Sequence, residues 1–281
     1  MTGVLKGLAA TALLVVIPLL SQCTHEPDDG ANGPWRHRLY TPTYFQKIGN
    51  SYTIIDTWHH RILYSQTLDP DLTKWTTLTE NIGGPHSIVT DGNIAVYDDT
   101  GYGNLRAARR IGLVTFKNTP ENGVEEYEYV FDVGTRPHRV IYDEATKSFY
   151  SIASASQEIL RVTNELGRLV VQHRQILPFL NRAYTRSISI FDDHMFFVTR
   201  SHGIIEATYR NDDYQYVRTY PVPDFLDDLN DIFLSEAGWY YVTATPQAIV
   251  RCRDLNDLAT GTYENLHDVL GIRGTPYYLA E

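Results

Sequence analysis

The chain has 281 residues, 43% hydrophobic and 12% aromatic, enough apolar material for one large domain held by core burial. Its 34 acidic and 24 basic side chains give a formal charge of −10, which disfavours nucleic acid or anionic lipid as the main ligand. With two cysteines, Cys23 and Cys252, no disulfide framework is expected, and 20 tyrosines against two methionines suit β-sheet.

Residues 1–23 read as a targeting segment. Lys6 supplies the charged start, and Leu8 to Leu20 forms an apolar stretch too short to span a bilayer once processed. The end, Leu20-Ser21-Gln22-Cys23, resembles the lipobox of bacterial lipoproteins, with Gln22 where that pattern has a small residue. The resemblance implies acylation of Cys23, and export to the periplasm or cell surface; an ordinary secretory signal and an uncleaved N-terminal anchor are the alternatives. Residues 24–35, beginning THEPDDGANGP, lack periodicity and read as a flexible tether, leaving 36–281 as the folded domain. Membrane contact is expected only through the N-terminal anchor, and a monomer is expected.

From Ser51 the chain repeats itself. SYTIIDTWHHRILY is an apolar strand closed by Asp56, a polar turn, and a second apolar strand opened by Arg61. Looser copies follow from Asn93, Ser148, His194 and Gly238. Their strand-end residues, Asp56, Asp99, Ala153, Thr199 and Thr243, are spaced by 43, 54, 46 and 44 residues. Recurrence at that length signals a β-propeller. Runs such as Met195-Phe196-Phe197-Val198 do not alternate, as fits strands buried on both faces. No segment after residue 23 sustains a helical apolar period. The expected architecture is all-β, of four-stranded antiparallel blades. The six-bladed type with an incomplete last blade is favoured, and a five-bladed ring is the alternative. The reason is that GTPYYLAE at Gly274 matches only the start of a repeat, so about one repeat of a longer protein is expected to be missing.

A second anchor precedes each apolar strand, at Thr43, His86, His138, Arg186 and Asn230, with Tyr277 in the corresponding place near the end. Pseudo-symmetry gathers these six into a ring at one mouth of the channel, the concave polar place where ligands bind. The Asp56-to-Ile62 turn resembles the signature turn of NHL-repeat propellers, which implies a six-bladed fold and structural roles for Asp56 and Arg61. Pro85-His86 and Pro137-His138 resemble the Pro-His steps of peptidylglycine amidating lyase propellers, implying His86 and His138 as ligands of a catalytic zinc. Arg186 stands where a third ligand is wanted and repels a cation. Calcium propellers of the gluconolactonase and paraoxonase kind place Glu, Asn and Asp here, and only Asn230 with Asp231 matches. Three readings stay open. Both histidines hydrogen-bond across a wet channel, or they join Arg186 in gripping a carboxylate or sugar acid, or they hold a metal, zinc before calcium, for which Asn230 offers a single carbonyl oxygen.

No nucleophile elbow, phosphate loop or zinc-spaced cysteine pair is present. The pairs Asp98-Asp99, Asp192-Asp193, Asp212-Asp213 and Asp227-Asp228 read as strand-ending turns. Arg106 to Arg110 reads as a solvated strand edge. The expected function is an exported binding module taking a small molecule, glycan or protein at its channel mouth. The alternative is a metal-dependent lyase or hydrolase using the channel histidines.

Overall fold

A computed structural model of the chain describes residues 34–49, 51–80, 82–101, 103–109, 126–130, 136–166, 168–245, 247–267, 269–271 and 274–279. The targeting segment with Cys23 and most of the tether lie outside the described residues. Among the described residues twenty strands form five four-stranded antiparallel units, the last two continuous in one eight-stranded sheet. The first is β1 Pro42–Ile48, β2 Ser51–Asp56, β3 Arg61–Ser65 and β4 Thr76–Thr79. The second is β5 Ile88–Thr90, β6 Ile94–Asp99, β7 Asn104–Arg109 and β8 Glu126–Val130. The third is β9 Pro137–Asp143, β10 Ser148–Ala153, β11 Glu158–Glu165 and β12 Arg168–Ile176. The fourth is β13 Tyr184–Phe191, β14 His194–Arg200, β15 Gly203–Thr208 and β16 Tyr216–Tyr220. The fifth is β17 Asp228–Leu234, β18 Tyr240–Thr245, β19 Ala248–Cys252 and β20 Glu264–Asn265. Units four and five are joined where the end of β14 pairs with the start of β17, Arg200 with Asp228.

Most of the apolar core lies between units, which is why the second strands are apolar on both faces, while Ile54, Leu63 and Trp75 pack within unit one. Val89, Val96 and Leu105 of unit two pack on Val140, Phe149 and Leu160 of unit three. Unit three meets unit four through Tyr150, Ile152, Ile188 and Phe197, and unit four meets unit five through Val198, Ile204, Ile232 and Val242. Burial of each such side chain stabilises by roughly 1.5–3 kcal/mol. Side-chain hydroxyls stitch the units as well. Thr43 donates to the His86 carbonyl (3.1 Å), Thr57 to Pro85 (2.7 Å), Thr100 to Pro137 (2.6 Å) and Ser189 to Ile232 (3.0 Å).

The inner strands share an irregularity that the spacing alone did not reveal. Pro42 pairs with Asp56 but Tyr44 with Ile55; Pro137 pairs with Ala153 but Arg139 with Ile152; Thr185 pairs with Thr199 but Ser187 with Val198. In unit five Leu229 pairs with Ala244 and Asp231 with Thr243. Each slip is a β-bulge, and the extra residues are Thr43, His138, Arg186 and Asn230. A bulge re-aims a side chain, and here it does so at four of the six positions the repeat assigned to the mouth. The fifth unit also corrects the expected register. Ala244, not Thr243, stands where Thr199 stands in unit four, because this hairpin places five residues between Leu234 and Tyr240 where unit four has two between Phe191 and His194.

The Asp56 turn is structural. Arg61 Nε meets Asp56 Oδ2 at 2.7 Å, Arg61 Nη2 donates to the Arg38 carbonyl at 2.6 Å, and the guanidinium lies over Trp35. Asp56 Oδ1 accepts from the Tyr40 amide. This buried pair thereby holds Trp35 to Tyr40 against unit one. Residues Pro34–His37 form a 3₁₀ turn. Arg106 is a further correction: its side chain turns inward onto Asp99 at 2.8 Å and is not a solvated edge. The segment after Cys252 forms a single helical turn, Asp257–Thr260, followed by β20.

At the far end, residues 276–279 run between β1 and β17. The Tyr278 amide donates to the Thr43 carbonyl (3.2 Å) and the next amide, Leu279, to Asp231 Oδ2 (3.0 Å), so successive N–H groups serve opposite neighbours.

The β11–β12 hairpin has a two-residue connection starting at Leu166, with Glu165 paired to Arg168. Leu166 adopts φ 53° and is fully exposed. Two-residue hairpins of this hand favour Asn there, and an L side chain other than Asn or Gly is strained by about 1 kcal/mol. Leu166→Asn is expected to raise the unfolding free energy by about that amount in urea titrations; an unchanged or lower midpoint would contradict the turn assignment.

Candidate ligand-binding site at the channel mouth

The structure brings together four of the six expected ring residues. The His86 and His138 rings lie 3.9 Å apart between centroids, tilted by 58°. Tyr277 stacks on His138 at 6.1 Å and meets His86 edge-on at 5.6 Å. Arg186 is half-buried beside them. Thr43 and Asn230 are buried and committed elsewhere: Thr43 to Thr57 and the His86 carbonyl, Asn230 to Arg186, Thr245 and the Pro276 carbonyl.

Hydrogen bonding fixes both imidazole tautomers. His86 Nδ1 faces the Gly84 carbonyl at 2.8 Å, so it carries the proton and leaves Nε2 as an acceptor. His138 Nδ1 lies 2.8 Å from the Tyr278 hydroxyl, whose oxygen is also 2.9 Å from the His138 carbonyl and 2.7 Å from the Arg186 carbonyl. The single phenol proton serves the carbonyls, so His138 Nδ1 must donate, and its Nε2 points its lone pair at the Tyr277 hydroxyl, 3.5 Å away. Burial holds His86 down to about 4 and His138 well below the ordinary range; the neighbouring imidazole and Arg186 add to the shift on His138. Burial likewise raises Tyr277, keeping its proton in place. The mouth therefore presents two neutral imidazole acceptors, a phenol donor and a guanidinium.

Two carboxylates that sequence reasoning set aside as turn residues support the site. Asp98 takes the place of a ladder partner for the second unit's opening, accepting from the His86 and Ser87 amides, the Ser87 hydroxyl and Thr100 at 2.6 to 3.0 Å. Burial nevertheless pushes it up to about 7. Asp228 lies at the rim, with Oδ1 3.1 Å from Arg186 Nη2 and 2.8 Å from Arg200 Nε. Tyr278 was also unforeseen in its role. Only its neighbour Tyr277 was assigned to the mouth, and no local pattern marks a tyrosine that inserts across the axis.

The donor set does not complete a zinc or calcium site. Two imidazoles meet, but among the described residues no group of three His, Cys, Asp or Glu side chains is placed to hold a metal, and the Asn230 oxygen is occupied by Arg186 at 2.5 Å.

No protein-family model and no curated protein sequence matches the chain. Solved structures do match in fold. The periplasmic gluconolactonase of Pseudomonas aeruginosa superposes with a TM-score of 0.61 at 12% identity, over 87% of this chain and 74% of that one. A catalytically inactive virginiamycin B lyase from Staphylococcus aureus, solved with quinupristin, gives 0.56 at 12% identity, over 80% and 69%. A nidogen/laminin complex gives 0.52 at 15% identity, over 83% and 81%. The chain is a β-propeller.

Two outcomes follow from this geometry. His86 resists protonation in the fold and accepts a proton near 6.5 when unfolded, so its contribution to stability is full above 6.5 and is lost as pH falls toward about 4. Asp98 works in the opposite sense, its raised value adding stability as pH falls from about 7 toward 3.8. Comparison with His86→Gln isolates the first effect. The advantage of the wild type over the variant is expected to shrink between pH 6.5 and 4 in denaturant titrations, and a constant difference would contradict the neutral imidazole. Tyr278→Phe strips the hydroxyl from three buried partners and is expected to cost about 1–3 kcal/mol of stability. A melting curve like that of the wild type would rule out the hydroxyl as a tie across the channel.

Proposed function

We propose that this propeller is an exported, lipid-anchored, monomeric binding module whose channel mouth takes a small carboxylate-bearing ligand of the sugar-acid kind. The observation carrying the reading is the convergence of Arg186 with the paired acceptor faces of His86 and His138 and the Tyr277 hydroxyl. A guanidinium suits an anionic oxygen, imidazole Nε2 atoms suit ligand hydroxyls, and the Tyr277 ring offers a flat apolar face. The net charge of −10 argues against nucleic acid, and the periplasmic gluconolactonase among the structural neighbours supports an exported, sugar-acid context. Acylation of Cys23 would hold the domain at a membrane of the periplasm or cell surface through residues 24–35. The Asp56 turn supports kinship with NHL-type propellers.

One observation favours a second reading. Two neutral imidazoles in a buried mouth, His138 with its Nε2 on the Tyr277 hydroxyl and His86 with its proton held on Nδ1, can act as general bases, as a lyase or hydrolase requires, without a step through a metal. In that case His86→Ala and His138→Ala abolish turnover of a sugar lactone, a loss far larger than the weakening of its binding.

For the binding reading, isothermal titration with a panel of sugar acids is the test. Arg186→Ala is expected to weaken the best ligand by about 1.5–3 kcal/mol, the scale of a charge-assisted hydrogen bond. Equal affinity in the variant, for every acid that binds the wild type, would remove Arg186 from the site.

A further inference from the structure

We propose that Asp228 is an internal competitor for Arg186, a carboxylate of the chain itself that an incoming anion must displace. The inference rests on the carboxylate-binding reading of the mouth and adds a mechanism for its selectivity.

The two terminal nitrogens of the Arg186 guanidinium are bonded unequally. Nη1 donates to Asn230 Oδ1 at 2.5 Å, a short bond that fixes the side chain from below. Nη2 faces Asp228, whose Oδ2 accepts at 3.4 Å and whose Oδ1, at 3.1 Å, has no aligned hydrogen bond. Asp228 is thus held on Arg186 by charge more than by directed bonding, and such a contact yields to a better-aligned oxygen pair. Displacement does not strand the carboxylate. Arg200 Nε already lies 2.8 Å from Asp228 Oδ1, and Arg200 is 57% exposed at the rim, free to follow it. The backbone pairing of Arg200 with Asp228 keeps the two side by side. Two guanidiniums share one carboxylate, leaving one positive charge that a bound monoanion neutralises. Asp228 therefore sets a threshold: weakly coordinating anions fail to replace it, while a carboxylate with flanking hydroxyls for His86 and His138 succeeds.

The probes are gluconate in calorimetry and sulfate in thermal shift, on the whole chain. Asp228→Asn keeps the shape and removes the charge, and is expected to bind gluconate about tenfold more tightly than wild type, with the gain lost in the double variant with Arg186→Ala. Asp228→Glu, which retains the charge, is expected to show no gain. If the Asn variant binds gluconate no better than wild type, or the Glu variant gains equally, the competitor role is overturned while the mouth remains a carboxylate site. If gluconate binds neither protein, sulfate decides. A melting-temperature rise larger in Asp228→Asn than in wild type, and dependent on Arg186, keeps the competitor role and discards the sugar-acid reading; no such rise discards both.

Discussion

The Arg139 guanidinium lies between the rings of Tyr44, 4.6 Å away, and Tyr278, 4.2 Å away, with Asp231 Oδ2 at 3.9 Å. Unit one, unit three, unit five and the C-terminal segment all meet on this one buried cation. Taking a guanidinium out of water is costly unless its charge is met, and here Nε and Nη1 have no hydrogen-bond partner among the described residues. The aromatic faces supply the missing attraction, worth about 2 kcal/mol each where water is excluded. Because the partners come from opposite sides of the axis, the arrangement forms only when the units are already in place. It is a check on assembly as well as a contribution to it. The mouth rests directly above: Tyr278, clamped on Arg139 by its ring, uses its hydroxyl to orient His138.

Much of this was legible in the sequence because it depends on periodicity. The apolar strands, the turns and the places where inner strands begin recur at a nearly constant step, and that recurrence alone located His86, His138, Arg186 and Tyr277 near one another. What escaped depends on single side chains acting across the axis. The bulges leave no mark in an apolar pattern, since they shift pairing without changing composition. Asp98 and Asp228 read as turn formers because Asp at a strand end is common, and only coordinates show that one substitutes for a ladder partner and the other covers an arginine. Arg106 looked solvated because its neighbours are basic; its true partner, Asp99, lies across a hairpin. Thr43 and Asn230 sit at the same inner-strand bulges but are consumed by their own surroundings.

The backbone around the mouth is strained in a regular way. Thr41, Gly84 and Arg136 have φ of 54°, 62° and 49°, each two residues before Thr43, His86 and His138 and each followed by proline. Glycine adopts this region freely, whereas Thr41 and Arg136 do so at about 1 kcal/mol each. The rigid proline after each kink fixes the direction in which the inner strand starts, so the strain is tied to aiming the mouth residues.

The hydroxyl stitches between units have a bearing on how such a chain can change over time. Thr43, Thr57, Thr100 and Ser189 all donate to main-chain carbonyls of the following unit. A carbonyl is present whatever side chain the recipient bears, so each copy can drift without breaking the bond that its predecessor makes to it. Only the donor is constrained, to a small hydroxyl. Copies as unlike as SYTIIDTWHHRILY and GWYYVTATPQAIVRCR can therefore remain in register, and the inner positions are left free to specialise one at a time, giving a mouth in which no two residues of the ring need be the same except the histidines that touch.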